Sequence, residues 1–381
     1  MSSPLGSRSA IRFDNERAAA WAERFASTGA EGTEREGRLA DAVAEEFTRI
    51  GLRSESRVVL GSRFPHQILP ALGWCALCLG MTLATYLSDH GVSGVLRATA
   101  VIGAIVGWGI ATFPGLRFGH GWPPRVASRN VLAARAVDGS PPARLIFRTP
   151  LDGIGVRGPE VPWWASSVTV GVLVVTLLVS YRERGWALPV LVLLWVHVLV
   201  RSVPFLKSAR DPGLRENRTG LAVLLELARS WPRRADGRIE AHFVALGGQG
   251  LDGAGSWALE ATIRDEWPIK PTLIIDLSAP GVGKGLILSA RGHAELAGSA
   301  AADLWIPHRL ARRHVWTTWA RPVSKRDDDV VWLIGDEAFD RSNHARETTI
   351  APEALGRAAQ LATEIALRWA RRVATASPES R

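Results

Sequence analysis

Glu216-Asn217-Arg218-Thr219-Gly220-Leu221-Ala222-Val223-Leu224-Leu225-Glu226-Leu227-Ala228-Arg229 decides how this chain is read. A polar start gives way after Thr219-Gly220 to an almost unbroken apolar run, the pattern of a helix buried on most of its faces. Downstream the order reads strand (Ile239 to Leu246), glycine-rich loop, helix (Ser256 to Arg264) and strand (Thr272 to Leu277). That alternation predicts an α/β fold with a mainly parallel sheet flanked by helices. Pro352 to Val373 sets Leu355, Ala358, Ala362, Ile365 and Trp369 near one face and predicts a closing amphipathic helix.

Upstream, Ala18, Trp21, Ala22 and Phe25 share one helical face, and Leu39, Ala42, Val43, Phe47 and Ile50 share another. Gly51 stops the second helix, and Arg57 to Leu60 begins a strand. Asn130 to Ala136 and Ala143 to Phe147 flank Asp138-Gly139, the pattern of two strands joined by a tight turn.

Four blocks lack any Asp, Glu, Lys or Arg: Gln67 to Ser88, Ala98 to Leu116, Val161 to Tyr181 and Gly185 to Val200. Three of them approach the ~20 residues that span a bilayer. The fourth is nearer the lower limit and also reads as a core helix. Taken together they predict two transmembrane helical hairpins, four spans in all, interrupting the α/β domain. The expected layout is 1–64 (N-terminal part of the domain), 65–118 (hairpin 1), 119–160 (strands), 161–206 (hairpin 2), 207–373 (main part) and 374–381 (a disordered polar tail). Arg57, Arg63, Arg117, Arg125 and Arg129 flank the first pair, and Arg201, Lys207, Arg210 and Arg215 follow the second. The positive-inside rule then predicts a multi-pass membrane protein with its remaining parts on the cytoplasmic side. Met1 to Asn15 lacks the apolar core of a signal peptide, in keeping with that placement.

The net charge of +9 comes from scattered arginines, not from a basic stripe interleaved with aromatics, which argues against nucleic acid. Anionic lipid of a bilayer is the expected partner of that charge. Cys75 and Cys78 have metal or redox spacing but lie in an apolar block without a second pair, as small packing residues. Gly73, Gly80, Gly103 and Gly107 permit close helix contact and make a homodimer conceivable. Among the apolar blocks only His197 is ionisable within a span, so an ion path finds little support.

The opening stretch resembles the Asp-Asn-Ala-Ser-Gly-Val-Ala segment of metallopeptidase family 28, which includes di-zinc aminopeptidases and relatives that no longer cleave peptides. The resemblance covers 14–60 and 129–370. It implies a fixed set of positions around two zinc ions, a bridging carboxylate and a separate general base. Pro150 stands where the first motif has a zinc-binding His, and Asp152 matches the Asp that orients that His; without the His, Asp152 also reads as a turn residue before Gly153. Glu216 falls on the bridging Asp, or else joins Arg215 and Arg218 in a solvated cluster. Gln249 falls on the general base and Gly250 on a ligand, and a carboxamide does not accept a proton near neutral pH. Asp276, closing Leu273-Ile274-Ile275, and His344, in Asn343-His344-Ala345-Arg346-Glu347, match the remaining ligands.

Two expectations follow from the resemblance. The first is a peptidase-like protein without di-zinc activity, acting as a binding or scaffolding module for a protein or peptide. The alternative is a metal-dependent aminopeptidase or amide hydrolase with a rebuilt site, one zinc held by Glu216, Asp276 and His344, and Asp252 or Glu347 as substitute base. Other motifs carry less. Pro280-Gly281-Val282-Gly283-Lys284-Gly285 lacks the Ser or Thr of a phosphate loop. His293, His308 and His314 match no ligand spacing, Asp327-Asp328-Asp329 reads as a solvated turn, and Ser256 lacks a nucleophile elbow.

Overall fold

The computed structural model describes residues 13–25, 32–62, 68–91, 94–112, 122–123, 125–135, 141–151, 154–155, 171, 189–197, 199, 214–215, 217–231, 239–249, 251, 253–281, 283–290, 292–311, 329–336 and 350–376. In chain order the elements are α1 (Asn15–Arg24), α2 (Glu34–Arg49), β1 (Arg53–Ser62), α3 (Leu69–Asp89), α4 (Gly94–Thr112), β2 (Arg125–Ala134), β3 (Ala143–Pro150), β4 (Ile154–Gly155) and β5 (Leu214–Arg215). They continue as α5 (Arg218–Ser230), β6 (Ile239–Leu246), α6 (Ala254–Ala261), β7 (Thr272–Ser278), β8 (Leu286–Ala290), α7 (Ala294–Asp303), β9 (His308–Leu310), β10 (Val330–Gly335) and α8 (Pro352–Ala376). The chain divides into two compact units, 1–60 with 127–154 and 214–381, and 61–126 with 155–213.

The first unit is built on an eight-stranded sheet in the order β1-β2-β6-β3-β7-β10-β8-β9, with β4 and β5 pairing separately. β6, β3, β7 and β10 run parallel to one another. β2 is antiparallel to β6 and β8 to β10, while β9 runs parallel to β8, so the sheet is mixed. The tight turn expected between β2 and β3 does not make them partners: β6 lies between, antiparallel to β2 and parallel to β3. β6 is buried on both faces apart from the half-buried Glu240, and a strand so enclosed belongs inside the sheet.

Alternation along the strands feeds two cores. Leu145, Phe147, Ala241, Phe243, Leu273 and Ile275 enter one, with apolar side chains of α1, α2, α5, α7 and α8. Ile146, Val244, Leu246, Ile274, Trp332 and Ile334 enter the other, with Leu259 of α6. Phe147 stacks on Phe243 at 5.5 Å and meets Trp231 edge-on at 5.2 Å. α5 is the most enclosed helix, which follows from its apolar run. Its buried Glu226 accepts from Arg17 Nε (2.9 Å) and from Arg229 Nη2 (2.5 Å), tying α1 to α5. Arg135 donates to the carbonyls of Ala228 and Trp231, closing the C-terminal end of α5.

The second unit has its own core of Trp74, Leu77, Cys78, Met81, Ala104, Val190, Leu191 and Leu194. α3 and α4 approach so closely that a Cβ on Gly80 would lie 2.7 Å from the Ala100 carbonyl, and one on Gly107 2.7 Å from that of Gly73. Three of the four glycines marked for close contact thus serve this hairpin, whereas Gly103 has nothing within 4 Å. Cys78 is buried there, which pushes its thiol up to about 12, and His197 meets Trp74 edge-on at 6.1 Å. The four transmembrane spans are not supported: among the described residues no helix is long and apolar enough to cross a membrane. α3 includes Pro70, Thr82, Thr85 and Tyr86 and ends on Ser88-Asp89, while α4 carries Arg97 and four glycines. Helical residues 189–197 extend about 14 Å at 1.5 Å each. Block hydropathy counts side chains that this unit turns inward. The multi-pass placement, and the cytoplasmic orientation derived from it, fall with the spans. Val161 to Tyr181 lies outside the described residues, apart from Gly171.

At the start of β6, Glu240 accepts from His242 Nε2 (2.9 Å), Lys270 Nζ (3.1 Å) and Arg144 Nη2 (3.4 Å). Trp267 covers the cluster, stacked on His242 at 4.2 Å and 4.7 Å from the Arg144 guanidinium. The His242 hydrogen bond, aided by Lys270 and Arg144, outweighs burial and draws the Glu240 carboxyl down to about 2. A carboxyl depressed in the folded state stabilises above its unfolded value of 4.5, and that contribution fades as pH falls to about 2. Glu240→Gln is expected to cost up to about 3 kcal/mol at neutral pH and almost nothing near pH 2. Urea unfolding of both proteins across that range measures it.

Candidate functional site

The C-terminal ends of β3 and β7 meet the N-terminus of α5, and Asn217 joins all three. Its Nδ2 donates to Thr149 Oγ1 and to the Pro150 carbonyl, each at 2.7 Å. Its Oδ1 accepts from the Ala279 backbone N–H at 2.7 Å. Thr149 Oγ1 in turn donates to the Leu277 carbonyl at 2.6 Å. Gly220 is required by this contact, since a Cβ would fall 2.3 Å from Thr149 Oγ1 and 2.4 Å from the Leu277 carbonyl. Ala279 leaves β7 with φ +45°, a left-handed conformation held by the Asn217 bond.

One row inside the sheet, Arg148 of β3 pairs in register with Asp276 of β7. Ile146 belongs to the second core, so strand alternation turns Arg148 toward that face. Arg148 Nε donates to Asp276 Oδ2 at 2.7 Å, and both side chains are about 8 % exposed. Ser278 Oγ donates to the other carboxylate oxygen at 2.6 Å. Trp332 lies opposite Asp276 in register, its buried Nε1 without a hydrogen-bond partner.

The glycine-rich loop after β6 is fastened to the other side of that strand. Gly247 N–H donates to Asn130 Oδ1 at 3.0 Å, and Asn130 Nδ2 to the Gly255 carbonyl at 2.8 Å. Glu36, from the first turn of α2, accepts from Ser128 Oγ (2.5 Å), from Gly248 N–H (3.1 Å) and from Gly32 N–H. Burial pushes the Glu36 carboxyl above its ordinary value, against the pull of these three donors. Gln249 is buried with Oε1 accepting from Ser256 Oγ at 3.1 Å, while its Nε2 has no hydrogen-bond partner.

Of the expected site residues, Asp276 and Gln249 lie in the described structure. Asp152, Glu216, Gly250, Asp252, His314, His344 and Glu347 lie outside the described residues. His293 immediately precedes α7 at its N-cap position, and His308 begins β9. Three residues of this region escaped the sequence reading: Arg148, Asn217 as a junction, and Glu36. Two of them carried a signal. Opposite charges inside two apolar strands, Leu145-Ile146-Phe147-Arg148 and Leu273-Ile274-Ile275-Asp276, call for each other once both strands are buried. Thr33 and Glu36 have the spacing of a capping box, and Thr33 Oγ1 does accept from the Glu36 N–H at 3.3 Å.

Zinc can be tested against these donors. Pro150 offers no ligand atom, Gln249 offers an amide already bonded to Ser256, and Asp276 has a cation on one oxygen and a hydroxyl on the other. Among the described residues no group of three His, Cys, Asp or Glu is placed to hold a metal ion. The described positions therefore do not fit a zinc site, because a guanidinium already neutralises the one carboxylate that matches.

Comparison with solved structures nonetheless finds proteins of similar architecture. An aminopeptidase from Aneurinibacillus sp. strain AM-1 superposes with a TM-score of 0.52 at 13% identity, covering 94% of each chain. BSAP, a zinc aminopeptidase from Bacillus subtilis, gives 0.51 at 12% identity over 94% of this chain and 96% of that one. A Zn-dependent exopeptidase from Parabacteroides distasonis gives 0.50 at 13%, over 93% and 98%. The fold is that of the zinc aminopeptidases. At such identity the likeness establishes architecture alone. No protein-family model matches the chain, and no curated protein matches it.

Breaking the buried pair on this aminopeptidase-like sheet should be costly. Arg148→Met alone leaves Asp276 uncompensated and is expected to lose about 3–5 kcal/mol. The double variant Arg148→Met with Asp276→Leu is expected to recover most of that loss, since two apolar side chains replace both charges. A double-mutant cycle by chemical denaturation checks both values.

Proposed function

We propose that the first unit is a zinc-aminopeptidase frame used for binding rather than hydrolysis, a recognition or scaffolding module for a protein or peptide. The observation that carries this reading is the Arg148–Asp276 bond of 2.7 Å, which puts a fixed organic cation on the carboxylate that would otherwise bind metal. Gln249 supports it, because an amide at the position of the base takes no proton from a water nucleophile near neutral pH. The frame needed to present a surface is kept: Asn217, Thr149 and Gly220 hold α5 against β3 and β7 at the strand ends, where open α/β sheets take their ligands.

The rebuilt single-metal reading would require Asp276 to release Arg148 and then join Glu216 and His344. Removing a guanidinium from a buried carboxylate costs several kcal/mol before any zinc bond forms, and this disfavours that reading.

Zinc titration of the full-length chain by calorimetry is expected to give no saturable binding at micromolar concentration, with identical traces for wild type and His344→Ala. Aminoacyl and dipeptide substrates are expected to show no zinc-dependent turnover. Stoichiometric zinc that His344→Ala abolishes, together with turnover, would overturn the proposal in favour of a rebuilt site.

A further inference from the structure

The Arg148–Asp276 pair leaves most of the guanidinium unused. Arg148 is more than nine-tenths buried, and among the described residues its side chain makes a single hydrogen bond, from Nε to Asp276. A buried guanidinium ordinarily spends its fork of donors on acceptors. Here neither Nη has an acceptor, yet neither is sealed from solvent. The cation therefore presents an open edge near the C-terminal end of β3, and at such strand ends open α/β sheets take their ligands.

The surroundings carry the same excess of donors. Trp332, opposite Asp276 in register, belongs to the second core with Ile146 and Ile274, and its buried Nε1 has no acceptor. Gln249 lies on the loop that leaves β6, the strand beside β3. Its Oε1 is taken by Ser256, and its buried Nε2 has no acceptor. The acceptors at hand are already engaged, since one Asp276 oxygen receives Arg148 and the other Ser278. A site with N–H groups to spare fits a ligand that only accepts. Such a ligand meets Arg148, because Trp332 Nε1 and Gln249 Nε2 are closed to solvent.

Charge and shape narrow the ligand. Asp276 already offsets the charge of Arg148, so every negative charge on a ligand meets a carboxylate as well as a cation. A phosphate dianion feels that repulsion twice over and a carboxylate once. A carboxylate also sets its pair of oxygens against the pair of Nη groups, a fork that a neutral carbonyl does not fill.

We propose that the Nη edge of Arg148 receives a carboxylate of a bound peptide, its C-terminus or an acidic side chain; this rests on the reading of the first unit as a zinc-free binding module. Saturation-transfer NMR on the full-length chain tests it with millimolar N-acetyldialanine, the C-terminal amide of that compound, and the α-amide of N-acetylglutamate. At least one carboxylate probe is expected to bind, and the dialanine amide on the order of 10-fold more weakly or not at all. Binding of N-acetyldialanine alone assigns the C-terminus, and binding of the glutamate probe assigns an acidic side chain. Arg148→Met with Asp276→Leu, which replaces both charges with apolar groups, is expected to abolish binding. Arg148→Lys, which keeps the charge and loses the fork, is expected to weaken it on the order of 10-fold. Equal binding of dialanine acid and amide overturns the proposal, and so does undiminished binding by the folded double variant. A wild type that binds neither carboxylate nor zinc overturns this inference alone, whereas carboxylate binding that appears only with added zinc overturns the binding-module reading with it.

Discussion

Strand β3 is buried along its whole length, and each of its polar side chains therefore finds at least one partner inside the protein. Arg144 meets Glu240, Arg148 meets Asp276, and Thr149 meets both the Leu277 carbonyl and Asn217. These bonds run sideways to β6 and β7 and upward to the start of α5. They fix which strands flank β3 and where α5 sits. The apolar side chains between them, Leu145, Ile146 and Phe147, divide between the two cores and supply most of the burial. The sheet's centre is thus specified by polar matching within an apolar strand.

The same requirement links the fold to the functional reading. A carboxylate at Asp276 cannot lie in the sheet uncompensated, and either a metal ion or a side-chain cation can answer it. Here Arg148 does so from the adjacent strand, covalently supplied and always charged. The carboxylate is compensated without any ligand from Pro150 or Gln249, whose oxygens bond elsewhere. Residues that hold the frame behave differently. Gly220 and Asn217 are constrained by contacts of less than 3 Å that no other side chain would reproduce.

The second unit shows how hydropathy misleads when read block by block. An apolar side chain is apolar whether it faces a bilayer, a protein core or another chain. α3 and α4 spend Trp74, Leu77, Met81 and Ala104 on a core of their own, and their glycines on bringing the two helices together. What the sequence marks as one apolar block is, on α3, a buried face and an exposed one. Only the helical periodicity, which separates Leu72, Leu79, Leu83 and Tyr86 from the buried set, distinguishes them.

The local elements were legible in the chain itself. The run after Thr219-Gly220 is a buried helix, Ile239 to Leu246 is a strand to the residue, Thr272 to Leu277 lies in β7, and the helix from Pro352 forms as its periodicity requires. Periodicity and propensity act over a few residues, so sequence alone determines them. Which strand lies beside which was settled only in three dimensions: β6 separates β2 from β3, and no local signal reports a contact made across more than a hundred residues. The candidate site divides in the same way. That Pro150 has no ligand atom and Gln249 no proton-accepting carboxylate is read from their identity, whereas the partner of Asp276 became known only when register set Arg148 beside it, because a buried charge is compensated by whatever the tertiary structure brings within reach.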